Sequence, residues 1–350
     1  MMNQATNDAR AADPQGAGAA AGAGVPAAAE RIPVIDVGAL FADDPAAARA
    51  VADEIRDAAV HTGFFYVSGH NVPRETIDAT YMAAKYFFDL PDEAKQAIKV
   101  TPTSAHRGYM PFAQTRQPGI RRADLKESFN FAFPFTPDHP AMKSGHPLIG
   151  ENQWPAGEPV WQRIVETYYR QVFELGQRIL GGVALSLGLP RGFFRERYRY
   201  PLVRTRLLHY PAQQADTEDQ YGAAAHTDYG TITVLWQDEV GGLQVRMRDG
   251  RWVDAPPIED TFVINIGDML QIWSNDLFVS TPHRVVNRSG RERFSIATFY
   301  DPDYDVKVEC LPNCSSAANP PKHEPLVAGD YIVARYDGSY AYRQPTQSWS

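Results

Sequence analysis

The chain has 350 residues, enough for one large domain or two ordinary ones, and its 44% hydrophobic and 22% charged content is that of a soluble globular protein. A formal net charge of −8 argues against a general nucleic-acid binder, and no apolar run approaches the ~18 residues of a membrane span. The cysteines, Cys310 and Cys314, are too few for a disulfide framework and lack a second pair or histidine cluster for zinc, so reduced thiols in a cytoplasmic protein are expected.

Residues 1–29 are dominated by Ala and Gly and hold nothing that could offset the entropy of ordering, so a disordered tail is expected there. Order begins at the strand signal Arg31–Asp36. A helical stripe of Val51, Ile55, Ala58 and Ala59 follows and stops at Gly63. Phe64–Val67 reads as a strand, Arg74–Phe88 as a helix, and Pro91 as the first turn of a further short helix. From Val100 to about Pro155 the chain is rich in Pro, Gly and aromatics, which favours a lid or binding segment; within it Glu127–Phe133 alternates like a strand. The spacing Val160, Ile164, Tyr168, Val172, Leu175, Ile179, Val183 predicts one long amphipathic helix ending near Gly188.

Beyond Tyr200 the character changes to short strands: Arg204–Tyr210, Thr231–Gln237, Gly242–Arg246, Trp252–Ala255, Thr261–Ile266, Leu270–Trp273, His283–Val286 and Arg293–Phe299. Strands so spaced suggest a double-sheet jelly roll or a barrel. The expected division is an N-terminal region over 30–155, a long supporting helix within 156–200, a β core over 201–302 and a C-terminal segment over 303–350.

His226-Thr227-Asp228 runs into the alternation of Thr231–Val234 and reads as strand, which would present an imidazole and a carboxylate on one face. His283, opening a later strand, is the best third ligand. Two imidazoles and one carboxylate form the facial triad of non-haem Fe(II) oxygenases and leave positions open for a bidentate cosubstrate and O2. His61, His70, His106, His139, His146, His209 and His323 lack such company and are read as non-ligands. Ten residues after His283, Arg293 and Ser295 share a strand face and together suit one end of a carboxylate. A 2-oxo acid with a distal carboxylate, such as 2-oxoglutarate, would reach from triad to pair, and Tyr210 could add a hydroxyl to the same anchor.

HTD, STPHRV and RFS in this order resemble the isopenicillin N synthase-like branch of the Fe(II)/2-oxoglutarate dioxygenases. The resemblance extends through IPVIDVGAL, GFFYVSGHNV, FFDLPDEAK, RGYMPF, DLKESFNF, NQWP, LHYPAQ, GGLQV, FVINIGDML and FYDP, over about residues 31–343. It implies a double-stranded β-helix (jelly-roll) core with helices, iron on His226, Asp228 and His283, and 2-oxoglutarate on Arg293 and Ser295 with Tyr210 assisting. The implied reaction couples oxidative decarboxylation of 2-oxoglutarate, using O2, to hydroxylation or desaturation of a small molecule, with neither nucleic acid nor membrane as partner. Arg206, Ser128, Asn130, Phe131 and Asp301 are expected to line the substrate site, whereas Arg116, Arg121 and Arg122 read as solvated charge.

Leu208 stands where many plant members carry Asn. The bacterial ethylene-forming branch shares that leucine, an arginine like Arg206, and the HTDYG and VGGL motifs, so ethylene formation stays open. Two other readings also stay open: a 2-oxoglutarate-independent oxidase or synthase, since isopenicillin N synthase and aminocyclopropane carboxylate oxidase use the matching Arg and Ser for other carboxylates, and a non-catalytic jelly-roll binding protein. The primary substrate and the oligomeric state are not legible.

Overall fold

A computed structural model describes residues 31–117, 119–213 and 220–343; the expected tail over 1–29 lies outside them. In chain order the first half contains β1 (Val34–Asp36), α1 (Pro45–His61), β2 (Phe64–Ser68), α2 (Arg74–Phe88), α3 (Asp92–Gln96), β3 (Gly108–Met110), β4 (Glu127–Ala132) and α4 (Pro159–Ser186). The second half contains β5 (Arg204–Tyr210), β6 (Ala223–His226), β7 (Ile232–Gln237), β8 (Leu243–Arg246), β9 (Trp252–Asp254), β10 (Phe262–Ile266), α5 (Asp268–Trp273), β11 (His283–Val285), β12 (Arg293–Tyr300) and α6 (Ala328–Ser339).

Strands β10-β7-β12-β5 and β6-β11-β8-β9 form two four-stranded antiparallel layers, the double sheet of a jelly roll. The first layer is widened by β2 and β1 on one flank and by β4 and β3 on the other. The segment read as a lid thus contributes two strands to the main sheet.

Two apolar clusters follow from the period-2 alternation of these strands. Phe129, Phe131, Phe294, Ile296 and Tyr300 belong to the one shared with α1, α2 and α4. Leu208, Tyr210, Leu243, Val245, Val263, Val285 and Ala297 form the other, with members on both layers. Helix α4 buries Trp161, Val165, Tyr168, Val172, Leu175, Ile179 and Val183, each such side chain contributing about 1.5–3 kcal/mol. Its stripe therefore begins at Trp161 and Val165, not at Val160, which is exposed. Gly176 lets the Tyr300 ring lie directly on this helix, where the Tyr300 hydroxyl donates to the Val172 carbonyl.

One local expectation is corrected. Leu270–Trp273 is not a strand but the body of α5: Gly267 is extended at its N-cap, Asp268 sits in its first turn, and Met269, Leu270, Ile272 and Trp273 are buried. A short run of apolar residues is ambiguous between strand and buried helix, and the capping residues decide it here. The strand leading into His226 carries no clear sequence signal, because Ala223-Ala224-Ala225 has little β propensity. Among the described residues no helix is long and apolar enough to cross a membrane.

Candidate active site

His226 is the last residue of β6 and His283 the first of β11, and the two are directly paired across the antiparallel ladder. Their rings lie 4.4 Å apart, with the edge of Phe64 packed against His283 at 5.3 Å. Asp228 is not on the strand with His226, which ends before it. Its backbone is fixed instead by a hydrogen bond from Asp268 N at the start of α5, 2.8 Å. Gly230, two residues on, packs so tightly against Tyr300 and Asp301 that a Cβ would have no room. The Asp228 carboxylate Oδ1 comes 3.7 Å from His226 Nε2 and 3.8 Å from His283 Nε2. Among the described residues these are the one group of three His, Cys, Asp or Glu side chains whose ligand atoms all lie within 4.8 Å of each other.

Every other polar atom of the three is committed. His226 Nδ1 is 2.7 Å from the Ala224 carbonyl and His283 Nδ1 is 3.2 Å from the Thr281 carbonyl, which leaves each Nε2 lone pair directed inward. Asp228 Oδ2 accepts from Thr233 Oγ1 at 2.5 Å and Asn265 Nδ2 at 2.8 Å, leaving Oδ1 free. Thr233 and Asn265 face each other across β7 and β10. Burial, with His283 adding to it, pushes the His226 imidazole down to about 3, so it is neutral and able to ligate at pH 7. Burial alone would raise the Asp228 carboxyl, but the two imidazoles and the Thr233 and Asn265 hydrogen bonds hold it below the usual range. Two imidazole nitrogens and one carboxylate oxygen, converging and otherwise unpartnered, fit a divalent metal with an open face.

The cavity holding this group is walled by Arg293, Ser295, Ala297 and Phe299 of β12 and by Arg206, Leu208 and Tyr210 of β5. The register pairs Arg293 with Tyr210, Ser295 with Leu208 and Ala297 with Arg206, so all project from one face. Arg293 is fully buried and donates to Gly241 O (2.6 Å), Gln237 Oε1 (3.2 Å) and Ser295 Oγ (3.2 Å). The ring of Tyr210 covers its guanidinium at 4.7 Å.

The expected substrate-lining residues divide. Of them Arg206 alone lines the cavity, beside Leu208. Asn130, opposite Arg206 on β4, receives its Nε at 2.7 Å and so stands behind it, and Ser128 lies opposite Leu208; neither reaches the cavity wall. Phe131 projects from the other face of β4 into the helix-side cluster, against Trp154 and Tyr169, because alternation sends neighbouring residues to opposite faces. Asp301 is buried beneath Gly230 with Arg204 3.7 Å away, outside the lining. Burial raises its carboxyl to about 6, Arg204 opposing. Lys126, Thr233, Asn265 and Phe64 line the cavity without having been anticipated, although DLKESFNF and FVINIGD contain two of them and GFFYVSGHNV a third.

Two family descriptions match the chain. "Non-haem dioxygenase in morphine synthesis N-terminal" covers residues 32–157, and "2OG-Fe(II) oxygenase superfamily" covers residues 195–302. A 2-oxoglutarate-Fe(II) type oxidoreductase hxnY from Emericella nidulans is 38% identical over 88% of this chain and 90% of its own length. A homoarginine-6-hydroxylase from Glycine max is 36% identical over 87% of this chain and 96% of its own. A full-length Neurospora crassa protein, solved in complex with alpha-KG and thymine, superposes with a TM-score of 0.78 at 30% identity, covering 89% of this chain and 98% of that one. The open His-Asp-His group inside a jelly roll and these relatives lead to one conclusion: the chain belongs to the Fe(II)- and 2-oxoglutarate-dependent dioxygenases, enzymes that use O2 and 2-oxoglutarate to oxidise a small molecule.

Proposed function

We propose that His226 Nε2, Asp228 Oδ1 and His283 Nε2 hold the iron of this dioxygenase, that Arg293 and Ser295 receive the distal carboxylate of 2-oxoglutarate, and that the reaction is hydroxylation of a small molecule bound beside them. The observation that carries this reading is the set of three uncommitted donor atoms in a group whose other polar atoms are all engaged.

When bound, Fe(II) with 2-oxoglutarate supplies the activation of O2 that turns 2-oxoglutarate into succinate and CO2 as the substrate is oxidised. The chain's own residues orient and exclude. The carbonyls of Ala224 and Thr281 fix the tautomer of each histidine, and Thr233 and Asn265 keep one carboxylate oxygen turned inward. Arg293, desolvated and held on three sides, offers a preorganised cation to a carboxylate, and the Tyr210 ring keeps water from its face. The apolar walls Leu208, Leu235, Leu243, Val285 and Ala297 shield the reacting centre.

The test is succinate release from the Fe(II)-loaded protein over a panel of amino acids including homoarginine, pyrimidines including thymine, and small carboxylic acids, with ethylene followed in the headspace. At least one compound should raise succinate formation stoichiometrically with a hydroxylated product, and His283→Ala should remove it. Ethylene as the main carbon product, or a His283→Ala variant as active as wild type, would refute the assignment.

A further inference from the structure

Charge in the cavity does not balance. Three cations stand on or just behind its β4–β5 wall: Lys126, Arg204 and Arg206. Lys126 Nζ pairs with Asp124 at 2.7 Å, and Arg204 lies 3.7 Å from Asp301. Arg206 has no acid within 4.0 Å among the described residues. None of its hydrogen-bond partners is a carboxylate: Nε donates to Asn130 Oδ1 at 2.7 Å, and Nη2 lies 3.0 Å from Tyr340 Oη and 3.1 Å from His106 Nε2. Burial alone would raise the Tyr340 hydroxyl, but Arg206, with Lys126 and Arg204, pulls it below its usual range. Its Nη1 has no hydrogen-bond partner among the described residues, in a side chain that is 7% exposed and lines the cavity. A buried guanidinium without a counter-charge is costly, and proteins keep one where a ligand supplies the anion.

The support around Arg206 holds it in one position. His106 is left-handed (φ 61°), and its Nδ1 binds Tyr342 Oη at 2.6 Å while its Nε2 faces Arg206. His106 stacks on Tyr336, and Tyr340 reaches in from the end of α6. Elements from β4, the loop at 106 and the C-terminal segment therefore converge on one side chain that points past them into the cavity.

Arg206 stands apart from Arg293 on the same wall. Arg206 pairs with Ala297, four residues along β12 from Arg293, or about 13 Å at 3.3 Å per residue. Past Ser295, which is held by Arg293, the wall between the two arginines is apolar, formed by Leu208, Leu235 and Ala297, with Phe299 5.3 Å under the Arg206 guanidinium.

We propose that Arg206 is the specificity-determining residue for the primary substrate, its free Nη1 taking a substrate carboxylate, so that this enzyme oxidises small carboxylic acids with an apolar body. This deepens the iron and 2-oxoglutarate assignment and rests on it. Lys126, within electrostatic reach and also lining the cavity, adds to the positive potential, while Asn130, His106 and Tyr340 act as positioning residues.

The experiment uses the full chain loaded anaerobically with Fe(II) and 2-oxoglutarate. The probes are benzoate, phenylacetate, hexanoate and octanoate, each beside its primary amide, with binding read by calorimetry. At least one acid should bind, its amide should bind thirtyfold or more weakly, and Arg206→Gln should weaken the acid by a similar factor. The 2-oxoglutarate Kd should stay within twofold in that variant. Arg206→Lys, which keeps the charge, should recover most of the acid affinity, and the acid-to-amide ratio is insensitive to any unfolded fraction. Amides binding as tightly as acids, an unaffected Arg206→Gln variant, parallel loss of 2-oxoglutarate, or no acid binding at all would each overturn the proposal. The charge-transfer band of the probe-free sample reports separately on the iron and 2-oxoglutarate reading.

Discussion

The donors to Asp228 Oδ2 give the sharpest quantitative test of how the centre is built. Thr233 Oγ1 at 2.5 Å and Asn265 Nδ2 at 2.8 Å hold the same oxygen from adjacent strands, and both residues are buried. Hydrogen bonds to a charged group contribute about 1.5–3 kcal/mol each, and losing such outer contacts typically weakens metal binding 10–100-fold. Thr233→Val and Asn265→Leu remove one donor each at nearly constant volume. Either donor alone still keeps Oδ2 turned away from the metal, so each single variant should lose about five- to tenfold in Fe(II) affinity, or roughly 1–1.4 kcal/mol. The double variant releases the carboxylate rotamer and should lose more than about 100-fold, a coupling of the kind expected for side chains sharing one partner. Anaerobic calorimetry with Fe(II), beside circular dichroism and melting curves of the metal-free proteins, makes the measurement. A folded double variant binding Fe(II) within threefold of wild type would refute the reasoning.

Three further outcomes follow. Arg293→Gln should raise the 2-oxoglutarate Kd about 100-fold (roughly 2.7 kcal/mol) while leaving Fe(II) affinity within twofold, because it removes a buried charge partner; an unchanged Kd would point to a 2-oxoglutarate-independent oxidase. Gly176→Ala drives a methyl into the Tyr300 ring and should cost about 3 kcal/mol in urea unfolding, so a loss below about 1 kcal/mol would contradict the packing described. The metal-free protein should lose stability as pH falls below about 6.5, because His70, His106 and His226 all titrate below 6.5 when folded and at about 6.5 when unfolded. Their contribution is full above pH 6.5 and is lost as pH drops towards their folded values, while Asp301, raised to about 6, acts in the opposite sense as pH falls through about 6. His106→Asn, which tolerates the left-handed backbone, should flatten the slope between pH 6.5 and 5 by up to about 1.4 kcal/mol per pH unit, and an unaltered slope would show that His106 does not carry it.

The site chemistry was more legible in the sequence than the local structure that presents it. His226, Asp228 and His283 are scarce residue types in a recognisable order, and Arg293-x-Ser295 on an alternating strand places guanidinium and hydroxyl on one face, as β12 does. Yet Asp228 lies beyond the strand that carries His226, and its orientation comes from α5, Thr233 and Asn265. None of these can be paired with it without knowing that β7 and β10 are neighbours. Phe131 and Asn130 show the same limit: alternation says that they face opposite ways, but only the packing of α4 says which way is inward. Arg206 stood out for its place on β5, but its lack of an acid emerges only when Tyr340, more than a hundred residues away, is seen beside it.

Anaerobic titration of the protein with Fe(II) and 2-oxoglutarate tests the central assignment most directly. Wild type should develop a weak visible charge-transfer band that saturates at one iron and one 2-oxoglutarate per chain, and Asp228→Ala should abolish it while remaining folded. No band at saturating Fe(II) and 2-oxoglutarate, or an undiminished band in Asp228→Ala, would contradict the account.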